Sequence, residues 1–467
     1  MKSCLLIFSS SRLIFMIYMN LIYRTGFISK RDYSQELMTE TNYEGINFFE
    51  KILLKLLTYF SCYDAIHFNY IASKGYTNDR LFAFFPFFPY LTRFISNIFS
   101  FISFQNFYTP YILSGFLFSN FLCLLNSFLL KKLIFELTSS KTKSNIASFL
   151  FLINPGSIFY MSVYSENLYF TLELIIILIL LKNKNTLYEF ILLIILFICF
   201  LLTRSNAVTC LSFIIIPIFH KIFEKTNIEL FNNSLLHNIK SILILIKNNF
   251  LFIIKYFILI IISLITFIWM IKFRPKMLLC NYINKKINFN EYYYKIYYDF
   301  CNNLTNNKVI NFYNYIQKEY WGVKFLNQYQ IKKINILIFS FPMNLIGFFI
   351  IYKSYKSFDF HALIFKLNLY EFFFNKNRND IKEKAFILGG LINFSDLYVT
   401  ILLIAYIGIC NRLYTGHPLI YYWISNEVYE YIIEGKNKKG FLILLHFITF
   451  SLFYCILHIG GYNGNKI

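Results

Sequence analysis

Three apolar runs constrain this chain most: "LELIIILILL" at 172–181, "FILLIILFICFLL" at 190–202 and "FIIKYFILIIISLITFIWM" at 252–270. None alternates polar with apolar residues, which excludes the period-two strands of a membrane β-barrel. In lipid, an α-helix satisfies its own backbone groups, and an open sheet does not. The expected class is therefore an all-α polytopic membrane protein. Composition agrees: 57% of residues are hydrophobic and 15% charged, against about 25% charged in a soluble domain. Mean hydropathy is +0.52.

Counting the first two of these runs within their longer segments, apolar segments fall near 11–23, 108–130, 145–163, 168–181, 187–203, 207–219, 333–352, 396–410, 418–433 and 440–459. With the run at 249–272 they predict about ten to eleven transmembrane helices, some shorter than the roughly 20 residues a span needs. No internal repeat is visible, so 1–467 reads as a single transmembrane domain.

The net charge of +21 would suit a nucleic-acid binder, but the lysines sit mostly between apolar runs. Positive-inside topology and anionic lipid headgroups account for them there, and no nucleic-acid partner is expected. The basic stretches 131–143, 182–185, 220–248 and 434–439, with the polar loop 353–384, fall on one side, which the charge rule makes cytoplasmic. The opposite side then carries 24–107, the joint 164–167, 204–206, the loop 273–332 and 411–417. Some of these segments are basic too, so charge alone does not separate the sides cleanly.

Cys123, Cys199, Cys210, Cys410 and Cys455 lie inside apolar runs and read as small core residues. Cys62, Cys280 and Cys301 lie in polar segments, and a Cys280–Cys301 disulfide is compatible with an oxidising lumen. The N-terminal run is interrupted by Arg12 and lacks a small-x-small cleavage site, which favours a retained first helix over a signal peptide. There is no Walker loop, GxGxxG or HExxH, so neither a nucleotide nor a metal site is expected.

The chemistry collects opposite the basic loops. Residues 47–60, "NFFEKILLKLLTYF", have helical apolar spacing with Glu50, Lys51 and Lys55 interposed, and read as a helix lying on the membrane surface. "YDAIHF" follows. If helical, it puts Asp64, His67 and Phe68 on one face. "FAFFPFFPY" then carries Pro86 and Pro89, which bar a plain spanning helix and suit a broken or re-entrant segment. Asp79 precedes it. Glu166 stands in "YSEN" between two apolar runs, just after the helix-breaking "NPG" at 154–156. Arg204 and Asn206 stand in "TRSN" at the end of another run, and Arg412 in "NRLYTGH". A boundary arginine can be a simple anchor, and a lone histidine is more often a packing residue than a catalyst. Glu166 gains nothing from snorkelling, which favours a functional role.

Taken in order, "YDAIHFNYIASKGYTNDRLFAFFPFFP", "NPGSIFYMSVYSENLYF", "LLTRSNAV", "YNYIQKEYWGVKFLNQYQIKKINILIFSFP" and "NRLYTGHPLIYYW" resemble the GPI mannosyltransferase 2 family, of PIG-V type. The resemblance runs from about residue 50 to about 425. It departs at Tyr63, where that family usually has Trp before the first Asp, and at Gly322 and Lys324, where "YWNVGFL" has become "YWGVKFL".

The resemblance implies a GT-C glycosyltransferase of the endoplasmic-reticulum membrane with a luminal active site. It implies transfer of the second mannose of the GPI precursor from dolichyl-phosphate-mannose, with no cofactor. Both substrates are lipids, which explains a carboxylate held at the membrane surface. The expected roles are Asp64 as base, Asp79 and Glu166 orienting sugars or the base, and Arg204 holding the phosphate. His67, Asn206 and Arg412 would line the substrate site. Tyr320 and Trp321 would stack on a sugar or belong to an interfacial aromatic belt. Whether a small accessory membrane subunit is needed stays open. A transporter would show pseudo-symmetry and mid-membrane charges, and a non-catalytic subunit would have lost Asp64; neither pattern is present.

Overall fold

In the computed structural model, the described residues are 2–24, 46–224, 235–275, 277–278, 312–366, 368–369, 372, 381–436 and 438–460. Among them there is no strand. The first half contains α1 (Lys2–Arg24), α2 (Phe48–Leu57), α3 (Asp64–Lys74), α4 (Phe87–Ile98), α5 (Thr109–Thr138), α6 (Lys141–Leu152) and α7 (Ser157–Met161). Next come α8 (Glu166–Lys182), α9 (Leu187–Leu201), α10 (Ile215–Glu224), α11 (Leu235–Asn248) and α12 (Phe250–Ile268). The rest is α13 (Phe312–Trp321), α14 (Ile334–Lys356), α15 (Phe360–Lys366), α16 (Ile381–Leu403), α17 (Cys410–Tyr414), α18 (Pro418–Ile432) and α19 (Lys438–Gly460). Cys280, Cys301 and most of the loop 273–332 lie outside the described residues.

Among the described residues, five stretches are long and apolar enough to cross a membrane: Thr109–Thr138, Phe250–Phe273, Ile331–Lys356, Ile381–Leu403 and Lys438–Cys455. Shorter apolar helices cover Leu5–Tyr18, Leu187–Leu201 and Ser205–Lys221. The protein is thus an all-α polytopic membrane protein. At its centre α8 packs on α5 and α9 and is buried on nearly every face, as a helix apolar all round must be. Hydrogen bonds stitch α5 to α8 inside this core: Asn126 Nδ2 donates to the Asn167 carbonyl (3.0 Å), and Thr171 Oγ1 donates to Asn126 Oδ1 (2.7 Å). Small polar side chains serve as interhelical glue where lipid supplies no hydrophobic drive. The cysteines at 123, 210, 410 and 455 are free and buried.

The apolar segments differ from their sequence outlines where Gly and Pro act. The run 145–163 is two helices, because Asn154–Pro155–Gly156 ends α6 and α7 restarts after it. α16 begins at Ile381, well ahead of residue 396. Gly389 and Gly390, which look like breakers, are contact points: an added Cβ would lie 3.0 Å from the Phe213 ring and 3.2 Å from Leu419 respectively. Pro86 and Pro89 do break the chain, but they also start α4: Pro86 is its N-cap and Pro89 lies in its first turn. There a missing N–H removes no helical hydrogen bond.

The amphipathic α2 exposes Phe48, Phe49, Ile52 and Leu56 and buries Glu50, Leu54 and Leu57. Glu50 accepts from the N–H groups of Gln105 (2.8 Å) and Asn106 (2.9 Å) and from Thr109 Oγ1 (2.6 Å). A buried carboxylate at the start of α5 suits the positive end of that helix dipole, and it pins the surface helix to the bundle.

Candidate active site

Two hydrogen bonds, one between backbones and one from a side chain, bring the first polar segment to the joint before α8. Val163 N–H donates to the Phe60 carbonyl (3.0 Å), and Tyr164 Oη donates to the Cys62 carbonyl (3.2 Å). Tyr63 then turns the chain at φ 55, ψ −122 and caps α3. A non-glycine residue held there costs of order 1–3 kcal/mol, a strain that persists only where the surroundings impose it. The turn sets Asp64 in the first turn of α3, while Glu166 opens α8.

The basic residues arrive from elsewhere. At the end of α9, the Leu202 carbonyl accepts from Phe87 N–H (3.0 Å), and Arg204 follows in extended backbone. Arg412 sits on the single turn α17, packed on α14 and α16. Its neighbours fix that turn: Cys410 Sγ lies 3.7 Å from the Ser340 carbonyl, and Tyr414 Oη donates to Asn344 Oδ1 (3.0 Å).

The four charges form one ion-pair network. Glu166 Oε1 receives both Arg204 Nη1 and Arg412 Nε, while Arg412 Nη1 reaches Asp64 Oδ2 at 2.5 Å. The layers differ in depth: the Glu166 side chain is 3% exposed, Arg412 13%, Arg204 19% and Asp64 28%. Glu166 is the floor and Asp64 the mouth. Glu166 Oε2 is buried with no hydrogen-bond partner among the described residues. The Arg412 guanidinium lies over the rings of Tyr164 (4.7 Å) and Phe159 (5.3 Å), and Arg204 over Tyr169 (5.9 Å).

Burial works against the charged form of Asp64. The Arg412 guanidinium outweighs it, with smaller help from His67 and Arg204, and the carboxyl ends below its ordinary range. Burial would likewise discharge Arg412, but Glu166 and Asp64 hold it charged. Burial raises the Tyr164 phenol well above its usual value, with the Asp64 charge adding to the effect.

A second group adjoins the network through α3. His67 is buried, stacked on Phe84 (4.5 Å) and edge-on to Trp321 (6.4 Å). Tyr320 Oη donates to Asp79 Oδ2 (2.6 Å), and Arg80 lies over the Tyr320 ring (5.4 Å). Asp79 is buried and touches none of the four charges. Asn206 lies two residues past Arg204, partly buried, with its carbonyl engaged by Thr209 Oγ1 (2.8 Å).

Sequence reasoning missed Arg274, which is buried over Tyr76 (4.1 Å) and Phe82 (5.5 Å), and Tyr313, whose hydroxyl lies 3.0 Å from Ser205 Oγ. Arg274 closes the longest apolar run, the one signal that could have flagged it. Among the described residues no cluster of His, Cys, Asp or Glu is placed to hold a metal ion. The arrangement offers a partly exposed carboxylate, two guanidinium groups for an anion, and, for a hydroxyl, a buried carboxylate oxygen without a hydrogen-bond partner among the described residues.

The family model for "Mannosyltransferase (PIG-V)" matches residues 1–459. No curated protein matches the chain. Among solved structures, the Archaeoglobus fulgidus oligosaccharyltransferase in complex with Zn and sulfate is similar at 10% identity and a TM-score of 0.40, over 82% of this chain and 45% of that one. The oligosaccharyltransferase AglB from the same organism, in complex with an inhibitory peptide and a dolichol-phosphate, is similar at 11% identity and a TM-score of 0.41, over 82% and 48%. The chain spans about half the length of the oligosaccharyltransferase chains it matches.

Proposed function

The chain belongs to the PIG-V mannosyltransferase family, and from that premise we propose that it adds the second mannose, α-1,6-linked, to the GPI precursor that already carries one. The donor is dolichyl-phosphate-mannose, and the reaction takes place on the luminal face of the endoplasmic-reticulum membrane. The observation that carries this reading is the meeting of Asp64, Glu166, Arg204 and Arg412 at one end of the bundle. The C-terminal ends of α5 and α8, with the start of α16, converge at the other end, around Glu136, Lys182 and Lys382. The 17 residues of α8 span about 26 Å between the two ends.

A β-linked donor and an α-linked product require inversion, so one displacement with one base suffices. Asp64 takes the proton of the acceptor hydroxyl as that oxygen attacks the mannose carbon. The leaving group is the phosphate of dolichol, which needs cationic support more than a proton. Arg204 and Arg412 supply it, the guanidinium fork matching phosphate oxygens. Glu166 fixes both arginines through one oxygen and offers the other to a sugar hydroxyl. Asp79, held by Tyr320, orients the sugars from the side, and Trp321 gives a partly exposed ring beside them.

The test is complementation of cells lacking the second GPI mannosyltransferase, followed by analysis of lipid-linked glycans. Restored two-mannose precursors support the assignment. Growth of a different lipid-linked glycan would reassign the acceptor within the same enzyme class.

A further inference from the structure

The arginine that best fits a donor phosphate is already occupied. Arg412 Nε is taken by Glu166 and Nη1 by Asp64, the carboxylate proposed as base. A carboxylate held by a guanidinium is a poor proton acceptor, because the pair favours its charged form. Yet the two carboxylates differ. Glu166 is buried beneath two guanidinium groups, whereas Asp64 is the most exposed member and, among the described residues, is ion-paired with Arg412 alone. Asp64 is the partner that can be exchanged.

Resting on the functional reading above, we propose that Arg412 is a shared cation: it keeps Asp64 in an ion pair while the site is empty and passes to the phosphate of an incoming polyprenyl-phosphate-mannose, so that Asp64 becomes a base only once the donor is seated. Charge accounting supports the exchange. The network holds two guanidinium and two carboxylate charges and is neutral. A donor phosphodiester adds one negative charge, which competes with Asp64 for Arg412. During transfer the acceptor O–H proton goes to Asp64. The mannose carbon–phosphate oxygen bond breaks, and a bond to the acceptor oxygen forms. The electron pair leaves with dolichyl phosphate, now a dianion. One negative charge has moved from Asp64 to the phosphate, towards the arginines, with the total unchanged. Arg412 is thus a positioning residue for the base as well as a phosphate ligand, and it protects the empty site from an unpaired, reactive carboxylate.

The groups that face Asp64 are Arg412 from α17, Arg204 from beyond α9, His67 on α3 itself, Tyr164 before α8 and Tyr313 on α13. The experiment compares the pH dependence of kcat/KM for the donor, which reports the free enzyme, with that of kcat, which reports the complex. The purified full-length protein would be given a short-chain polyprenyl-phosphate-mannose and a one-mannose GPI acceptor. Exchange predicts a kcat/KM that stays flat from pH 7 to 5, while the acidic limb of kcat lies about 1–3 pH units higher than that of kcat/KM. Arg412→Gln should raise the kcat/KM limb to meet the kcat limb, which a merely structural role would not do. His67 also faces Asp64, so the kcat limb should survive in His67→Gln. Coincident limbs in the wild type, or a limb that vanishes with His67, would overturn the exchange while leaving the mannosyltransferase reading intact. Absence of any transfer from the lipid donor would overturn both. Should Arg412→Gln fail to fold, the two wild-type limbs still decide.

Discussion

Tyr320 and Asp79, 241 residues apart in the chain, are joined by a 2.6 Å hydrogen bond from the phenol to the carboxylate. Asp79 is buried, and Tyr320 with Arg80 above its ring closes over it. Tyr320→Phe removes the donor and leaves the carboxylate oxygen without it, at a cost of about 1–3 kcal/mol. We expect a lower thermal midpoint in detergent and a reduced transfer rate. Asp79→Asn can still accept from Tyr320, so its rate should fall less than that of Asp64→Asn in the same assay.

Asp64→Asn keeps the size of the side chain and removes the proton acceptor. A general base contributes about 10²–10⁴-fold, so the variant should be correctly inserted, with transfer reduced by that factor. Cells that depend on it should accumulate a GPI precursor carrying one mannose. Full surface display of GPI-anchored proteins by Asp64→Asn, with loss in Glu166→Gln, would move the base to Glu166.

Glu50 makes no ion pair with the charge network, and it ties α2 to the start of α5 through three acceptor contacts. Glu50→Gln loses the charge that strengthens these bonds, worth about 1.5–3 kcal/mol. The expected outcome is lower thermal stability and earlier protease cleavage around residues 46–60, with kcat per folded molecule nearly unchanged.

The Asp64–Arg412 pair also makes a statement about acid stability. Arg412 outweighs burial and depresses the folded carboxyl, so the stability it contributes is present above the unfolded value of about 3.9 and is lost as pH falls through the lower folded value. The difference in thermal midpoint between wild type and Asp64→Asn should therefore be constant from pH 8 to about 5 and shrink only below about pH 4. A difference that already shrinks near pH 6 would mean that the pair is not formed in the resting protein.

Orientation in the membrane can be tested separately. The sequon Asn303-Leu304-Thr305 belongs to the side proposed as luminal, and Asn232-Asn233-Ser234 to the side proposed as cytoplasmic. Expression in a glycosylating host should modify Asn303 and spare Asn232. The reverse pattern would invert the topology.

Much of this architecture was legible because lipid leaves few choices. Uninterrupted apolar runs have to be helices, and Glu166 and Arg204 stand out as ionisable residues at the edges of such runs. The pairing was not legible. Nothing local in "YDAIHF" says that Asp64 will meet an arginine 348 residues later, because helix packing, not sequence proximity, decides which ends coincide. The early start of α16 was hidden for a related reason. Gly389 and Gly390 carry a weak helical preference, and their value lies in the close approach of Phe213 and Leu419, which appears only in three dimensions. Tyr313 was invisible because one more tyrosine in a chain with 38 carries no signal.

The turn that presents Arg412 is five residues long, and its register is set from both sides: Cys410 against Ser340, Asn411 against Tyr454, and Tyr414 against Asn344. Spacing is therefore as constrained here as chemical identity. A single residue inserted between Cys410 and Arg412 would swing the guanidinium by about 100° around the helix, away from both carboxylates, while leaving every side chain of the motif present. Such a protein would keep its whole inventory of reactive groups and lose their alignment, so in this segment of the chain a change of length should be tolerated less well than many changes of letter.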